Sequence, residues 1–451
     1  MSQGDINFIL DDYEIGIYNV SDIPQNLRSI RNDVFVDEKG FLNASTEDLY
    51  DHCGVHIVLQ SKTTGTAIAC IQTYKSETGE FADKCGLSPE KLKSGITLTR
   101  LMVRKEYRGQ SLGGLMLYLA MQEGRKWGRK RVFLYTEQGE SSTLGYIAYE
   151  PVTGMRSFVP EGKQSKQVVA NTQILEYSIS HCYAQLPENI RKFLQPRLAT
   201  EAIDTVNQRL DLFFKNPWFD AIYNETLTKH QYIQTLGNLY QFVRLTTRIL
   251  AKAVSLSEDT GMRKHFLEHL TDEIDHEIQI ESDLAQVSPN LINFVKNDMI
   301  PSIPTQQFMV IQESLLAYNS DPLSYVAVPF SIEGFTARLD HKFITSLENC
   351  LAKWGVKRPA RGVTFFRVHI TSDGGDDGHW DNNKKFLLKY IDSETKLKKI
   401  LNVIHLTMDS LERCYSSYVE ESDFEINENE SKTLSRPVPM DRLTTETTHH
   451  A

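Results

Sequence analysis

The sequence predicts two fold classes in one chain: an α+β N-terminal third and an all-α remainder. Three observations carry this. At 451 residues the chain exceeds what one ordinary hydrophobic core serves. Up to about Met155, short β-rich runs alternate with helical patterns. After Pro187 the apolar spacing turns helical and stays so.

Composition narrows the class further. A hydrophobic content of 40% and a charged content of 24% are those of a soluble globular protein. A net charge of −10 argues against a nucleic-acid partner, whose affinity comes from neutralised phosphates. The cysteines at 53, 70, 85, 182, 350 and 414 are scattered and form no CxxC, which suits a reducing cytosol and argues against structural zinc. The opening MSQGDINFILDDYEIG lacks a basic region followed by a small-residue cleavage site, and no apolar run is long enough to span a membrane. A cytoplasmic protein is the expectation.

In chain order, Ile23 to Asp37 reads as an amphipathic helix, with Ile23, Leu27, Ile30 and Val34 on one face. His56 to Gln60 and Ala67 to Tyr74 read as the two strands of a hairpin across the Lys62–Thr66 turn. Gly95 to Val103 is a strand, Leu115 to Gly128 a helix, and Lys130 to Thr136 a further strand. Between the first strand and the helix lies a glycine-containing turn that ends in Arg108-Gly109-Gln110-Ser111-Leu112-Gly113-Gly114. A strand, such a turn and a helix N-terminus aim several backbone N–H groups and a positive dipole end at one point, and pyrophosphate is the guest that suits them.

This stretch resembles the acetyl-CoA-binding motif of the GNAT acyltransferase superfamily, here Arg108-Gly109-Gln110-Ser111-Leu112-Gly113, with Ser111 where the family usually has glycine. The resemblance implies a GNAT-like mixed sheet with helices, acetyl-CoA or acyl-CoA as cofactor, and Val103, Arg108, Gly109, Gln110, Ser111, Leu112, Gly113 and Gly114 as its binding residues. Gly145-Tyr146-Ile147-Ala148-Tyr149-Glu150 is similar to the family's C-terminal segment, which makes Tyr146 the residue implied to protonate the departing thiolate. Ile30 to Glu38 also resembles the opening of acyl-homoserine-lactone and N-acyl amino acid synthases.

Pro151 to Lys166 is rich in Pro, Gly and polar residues, and Val168 to Tyr183 reads as a last strand. The expected division is 1–165 for the acyltransferase-like domain, 166–189 for a linker or last strand, 190–420 for the helical domain and 421–451 for a disordered, charged, Thr-rich tail. Helices are expected over Asn189–Phe214, Thr228–Val254 with Thr228 as cap, Thr260–Gln286, Gln306–Asn319, Pro322–Leu351, Pro359 to beyond His369, and Phe386–Tyr418.

Potential ligands fall on these helices. Glu273 and His276 stand at i and i+3, with His269 one turn earlier on the same face. Glu333 sits in an apolar run where an unpaired buried carboxylate is costly and a metal would relieve it. His369 and Asp373 stand at i and i+4, and His379 follows across a glycine-broken segment that could bend it back. Mixed imidazole and carboxylate donors suit iron or manganese.

The set resembles the heme-oxygenase-like diiron oxidases and oxygenases, over roughly residues 190 to 420. That resemblance implies a heme-oxygenase-like helical bundle with Glu273, His276, Glu333, His369, Asp373 and His379 as metal ligands, Asp376 being a rival to Asp373. It implies two iron ions, with manganese as the rival, and O2 as co-substrate. Its implied substrate is a small amino-acid- or fatty-acid-derived molecule, oxidised by N-oxygenation, desaturation or C–C cleavage. An external electron donor and a homodimer are further expectations. Two alternatives stand beside this fused enzyme: an acyltransferase whose helical half is a scaffold or oligomerisation module, and a ligand-binding protein with both sites degenerate, to which Ser111 points.

Overall fold

A computed structural model describes residues 9–19, 24–38, 51–78, 82, 86–137, 146, 150–151, 167–172, 175–318, 320–375 and 377–420. The Pro- and Gly-rich stretch 152–166, the tail and Asp376 therefore lie outside the described residues, whereas most of the expected linker or last strand at 166–189 lies within them. The chain divides into two compact units, Met1–Leu198 with Ile391–Thr395, and Ala199–Tyr390 with Lys396–Ala451.

The first unit is built on a sheet of β1 (Tyr13–Asn19), β2 (Gly54–Ser61), β3 (Ala67–Lys75), β4 (Gly95–Val103), β5 (Arg131–Glu137), β6 (Glu150–Pro151) and β7 (Gln167–Thr172), in the order β1-β2-β3-β4-β5-β7-β6. The first four strands form an antiparallel meander. β5 joins β4 in parallel, but only from Gly95↔Arg131 to Leu98↔Leu134, so the second half of β4 has no ladder to β5. Its helices are α1 (Gln25–Arg31), which runs on into a π-helical Asn32–Glu38, α2 (Pro89–Lys93), α3 (Leu112–Lys126) and α4 (Leu175–Gln185). α3 packs across β3 and β4 and against α4. The alternation around Gln173–Ile179 suggested a strand, yet Leu175–Gln185 is helical. Leu175, Ile179 and Cys182 fall at helical spacing and are buried, and that periodicity wins. β1 was not anticipated.

The helices that follow are α5 (Glu188–Phe213), α6 (Pro217–Tyr223), α7 (Lys229–Leu256), α8 (Thr260–Asp272), α9 (His276–Val287), α10 (Ile292–Asn297), α11 (Ile303–Ala317), α12 (Pro322–Tyr325), α13 (Ala327–Thr336), α14 (His341–Lys353), α15 (Thr364–Asp373), α16 (His379–Tyr390) and α17 (Glu394–Ser417). Thr228 caps α7 in a capping box with Gln231, as its position suggested. The core of the second unit is aromatic: Phe213, Trp218, Phe219, Phe335 and Tyr415 meet largely edge to face, Phe213–Phe335 at 5.3 Å and Trp218–Tyr415 at 4.8 Å.

Three expected helices are interrupted. Thr260–Gln286 breaks at Glu273–Asp275, where Asp275 takes a left-handed φ of 72°. Pro322–Leu351 is three helices, the last begun by Asp340, which caps it through Phe343 N–H. Phe386–Tyr418 stops at Tyr390 and restarts at Glu394. Apolar periodicity runs through such breaks because both sides bury the same face, so it does not register them.

Candidate metal centre

α8, α9, α13, α15 and α16 bring seven ligand-type side chains together. Glu273 caps the C-terminal end of α8, and the left-handed Asp275 turns the chain so that His276 opens α9 beside it. Aspartate is among the few residues that tolerate this conformation, at a cost of about 1–2 kcal/mol. The result splits Glu273 between two neighbours: Oε1 lies 3.5 Å from His269 Nε2 and Oε2 lies 2.9 Å from His276 Nδ1. Ligand atoms of His269, Glu273, Glu333 and His379 all lie within 4.8 Å of one another, and so do those of Glu273, His276 and His369. We call these the outer and inner groups; Glu273 belongs to both.

Each arm is held from behind. Gly374 and Gly375, the latter at φ 82°, end α15 and let His379 return at the start of α16, where its Nδ1 stands 3.0 Å from Asp373 Oδ1. Thr336 of α13 donates its hydroxyl to Asp373 Oδ2. Asn383 of α16 donates its amide to Glu333 Oε2, and Asn383 Oδ1 lies 2.9 Å from His265 Nε2. His369 Nδ1 is 2.8 Å from the Phe365 carbonyl, which fixes that nitrogen as the donor and leaves Nε2 free to ligate.

The electrostatics describe buried carboxylates and imidazoles that perturb one another strongly. Glu273, Glu333 and Asp373 are 9%, 5% and 1% exposed. Burial opposes ionisation of Glu273, but hydrogen bonds from His269 and His276 outweigh it and hold the carboxyl well below the usual range. Burial likewise opposes charge on His269, and the Glu333 charge together with both carboxylate contacts overcomes it, raising His269 well above an ordinary histidine. The Asp373 hydrogen bond pushes His379 up to about 9. Burial raises Glu333, and its Oε1, though 2.8 Å from His269 Nε2, takes no hydrogen bond of good geometry. An orphaned buried carboxylate oxygen in a cluster of four imidazoles and two further carboxylates is a donor set that fits iron or manganese.

All six ligands expected from sequence are therefore brought together, Asp373 among them. His269, seen on the Glu273 face but left out of the ligand set, joins them. His265, Thr336 and Asn383 were missed, for they lie outside the ligand motifs. A cleft of about 320 Å³, lined by His265, His269, Asp272, His379, Asn383 and Phe386 among others, opens onto the outer group. His379 Nε2 also stands 3.2 Å from Asp272, at the cleft wall.

In the first unit the glycine turn has the shape of an anion cradle. Gly109 (φ 81°) and Ser111 (φ 58°) are both left-handed, and the first-turn N–H groups of α3 have no intrahelical acceptor. Arg108 is turned aside to Glu38 at 2.6 Å and to the Val103 carbonyl. The Tyr146 hydroxyl lies 3.0 Å from Ser111 Oγ, and its ring closes on Gly114, where a Cβ would stand 2.7 Å away. In the same unit Arg31 makes a two-pronged pair with the fully buried Asp51, at 3.0 and 2.6 Å. Arg100, at a β4 irregularity with φ 53°, joins the same carboxylate, a cluster the sequence reading did not anticipate.

Residues 25–146 match the family described as Acetyltransferase (GNAT) family. The chain thus places a GNAT domain ahead of an all-helical unit. No curated protein matches it. Among solved structures, a domain of unknown function with a heme oxygenase-like fold from Shewanella denitrificans OS217 is similar over 49% of this chain and 90% of its own, at 14% identity and a TM-score of 0.41. A TenA homolog from Pseudomonas syringae pv. tomato DC3000 is similar over 50% of this chain and 93% of its own, at 10% identity and a TM-score of 0.40. An acyl-CoA N-acyltransferase from Pseudomonas aeruginosa is similar over 35% of this chain and 98% of its own, at 18% identity and a TM-score of 0.28. Among the described residues, no helix is long and apolar enough to cross a membrane.

Proposed function

We propose that the helical unit is a heme-oxygenase-like, non-haem diiron oxidase or oxygenase acting on a small amino-acid- or fatty-acid-derived substrate, joined to an acyl-CoA-dependent N-acyltransferase. The observation that carries the first part is Glu273, whose two oxygens face two different imidazoles and which belongs to both ligand groups. His269, Glu333 and His379 would hold the outer ion, and His276 and His369 the inner one, with Glu273 shared and Asp373 brought in beside His379. Iron held there (or manganese, which shares these ligand preferences) would supply redox chemistry toward O2, with an external donor as the source of electrons.

The chain's own residues do the rest. Asn383 orients Glu333, and Thr336 orients Asp373. The cleft brings substrate to the outer group along a wall where Phe386 stacks on His265 at 4.3 Å. In the GNAT domain the N–H groups of the Gly109–Gly114 turn would take the pyrophosphate of acyl-CoA. Tyr146 is the proton donor to the leaving thiolate, its hydroxyl set beside the start of α3.

Anaerobic loading with Fe(II), metal analysis and O2 uptake test the oxidative half. Two ions per chain and O2 consumption are expected, matching the two ligand groups, with both reduced in His369→Ala. Unchanged iron and O2 uptake in that variant would sink the assignment. Acyl-CoA binding measured by calorimetry tests the other half, and its absence removes the acyltransferase reading.

A further inference from the structure

One buried carboxylate outside the ligand set links the two helices that carry its inner half. Asp283 stands on α9 two turns beyond His276 and is 0% exposed. Its Oδ1 accepts the backbone N–H of Thr364 at 2.8 Å, and its Oδ2 that of Phe365 at 2.9 Å. These are the first two residues of α15, whose own N-cap, Val363, offers no side-chain acceptor. A side chain from one ligand-bearing helix thus caps the other. The Phe365 carbonyl then receives His369 Nδ1, and the Phe365 ring packs on that imidazole at 4.2 Å between centroids. Tyr232 of α7 donates to the Gly362 carbonyl at 2.6 Å and pins the approach to the cap.

We propose that Asp283 is the positioning residue of the inner metal site, fixing His369 against His276 through the backbone of Thr364 and Phe365. This rests on the metal reading above. Stability alone does not call for a charged group here. Burial pushes the Asp283 carboxyl up to about 6, against the pull of both N–H groups and of Arg367, so ionising it is costly where it stands. What the carboxylate does, and an amide or a hydroxyl cannot, is give each N–H group its own acceptor oxygen. That sets the rotation and height of α15, and with them the 4.6 Å separation of the His276 and His369 rings.

The test uses Co(II) as the probe, titrated anaerobically into the full chain, with the visible spectrum reporting each site. Wild type is expected to bind two ions, one per ligand group. In Asp283→Asn one oxygen still accepts an N–H, but the NH2 group faces the other. The outer ion should bind as in wild type, and the inner ion about 10–100-fold more weakly with an altered spectrum, the range seen when partners behind a ligand are lost. Leu284→Ala, a buried neighbour on α9 whose side chain caps nothing, should lower Tm and leave both ions in place. Asp283→Ser, which keeps a single acceptor, serves if Asp283→Asn does not fold, with the same selective loss expected. Two ions at wild-type affinity in folded Asp283→Asn, or equal weakening in Leu284→Ala, would overturn the proposal. Wild type that takes up no Co(II) overturns the metal reading itself.

Discussion

Replacing Asn383 by leucine separates the outer ligand group from its support. The substitution keeps similar volume but removes two contacts, the amide donation to Glu333 Oε2 and the 2.9 Å contact with His265 Nε2. Glu333 keeps its Oε1 contact with His269 but loses the amide that holds Oε2 and fixes the plane of its carboxylate. Loss of such a partner typically costs 10–100-fold in metal affinity, about 1.4–2.7 kcal/mol. The inner group shares only Glu273 with this arm, so its ion should be affected far less. Competition titration with Fe(II) or Mn(II) against a chromophoric chelator, under anaerobic conditions, reads the two affinities. Thermal unfolding run in parallel shows whether the fold survives. Affinities within about twofold of wild type at both positions would refute the reasoning, because the amide would then not be orienting a ligand.

Other outcomes follow from the same geometry. Burial holds His56 at about 4, below the 6.5 of an unfolded histidine, so its contribution to stability is complete above 6.5 and is lost as pH falls toward 4. Wild type should therefore lose about 3 kcal/mol more than His56→Gln across that window, measured by urea unfolding, and an equal pH dependence in both would contradict it. Gly375 is left-handed at φ 82° with nothing within 4 Å of a built Cβ, so Gly375→Ala should cost about 1 kcal/mol through the backbone alone, and no change in stability would argue against the tight turn that returns His379. In the GNAT domain, Gly114→Ala puts a Cβ 2.7 Å from the Tyr146 ring. Acyl transfer should fall about tenfold or more (~1.4 kcal/mol) while CoA is still bound, and unaltered turnover would remove Tyr146 from the reaction.

Much of this cluster is legible because candidate metal ligands must be specific residue types at helical spacing. Glu273 with His276, and His369 with Asp373, announce themselves in that way. The return of His379 was readable from the glycines before it. The break at Asp275 was not, because a single left-handed aspartate leaves the apolar periodicity intact. Nor were Asn383, Thr336 and Asp283 readable, since each reaches its partner from a different helix and only packing decides which helices meet. In the first unit the strand–turn–helix order located the cradle. The Arg31–Asp51–Arg100 cluster joins residues from three separate stretches, and no local pattern in the sequence links them.

The central claim is that one carboxylate serves two metal positions. Metal analysis and Mössbauer spectroscopy of the anaerobically Fe(II)-loaded chain, beside Glu273→Gln, test it most directly. The account predicts two coupled ferrous ions in wild type, one for each ligand group, and loss of their coupling with weakened binding at both positions in the variant. Wild type without specifically bound iron, or a Glu273→Gln variant that holds the same coupled pair, would contradict it.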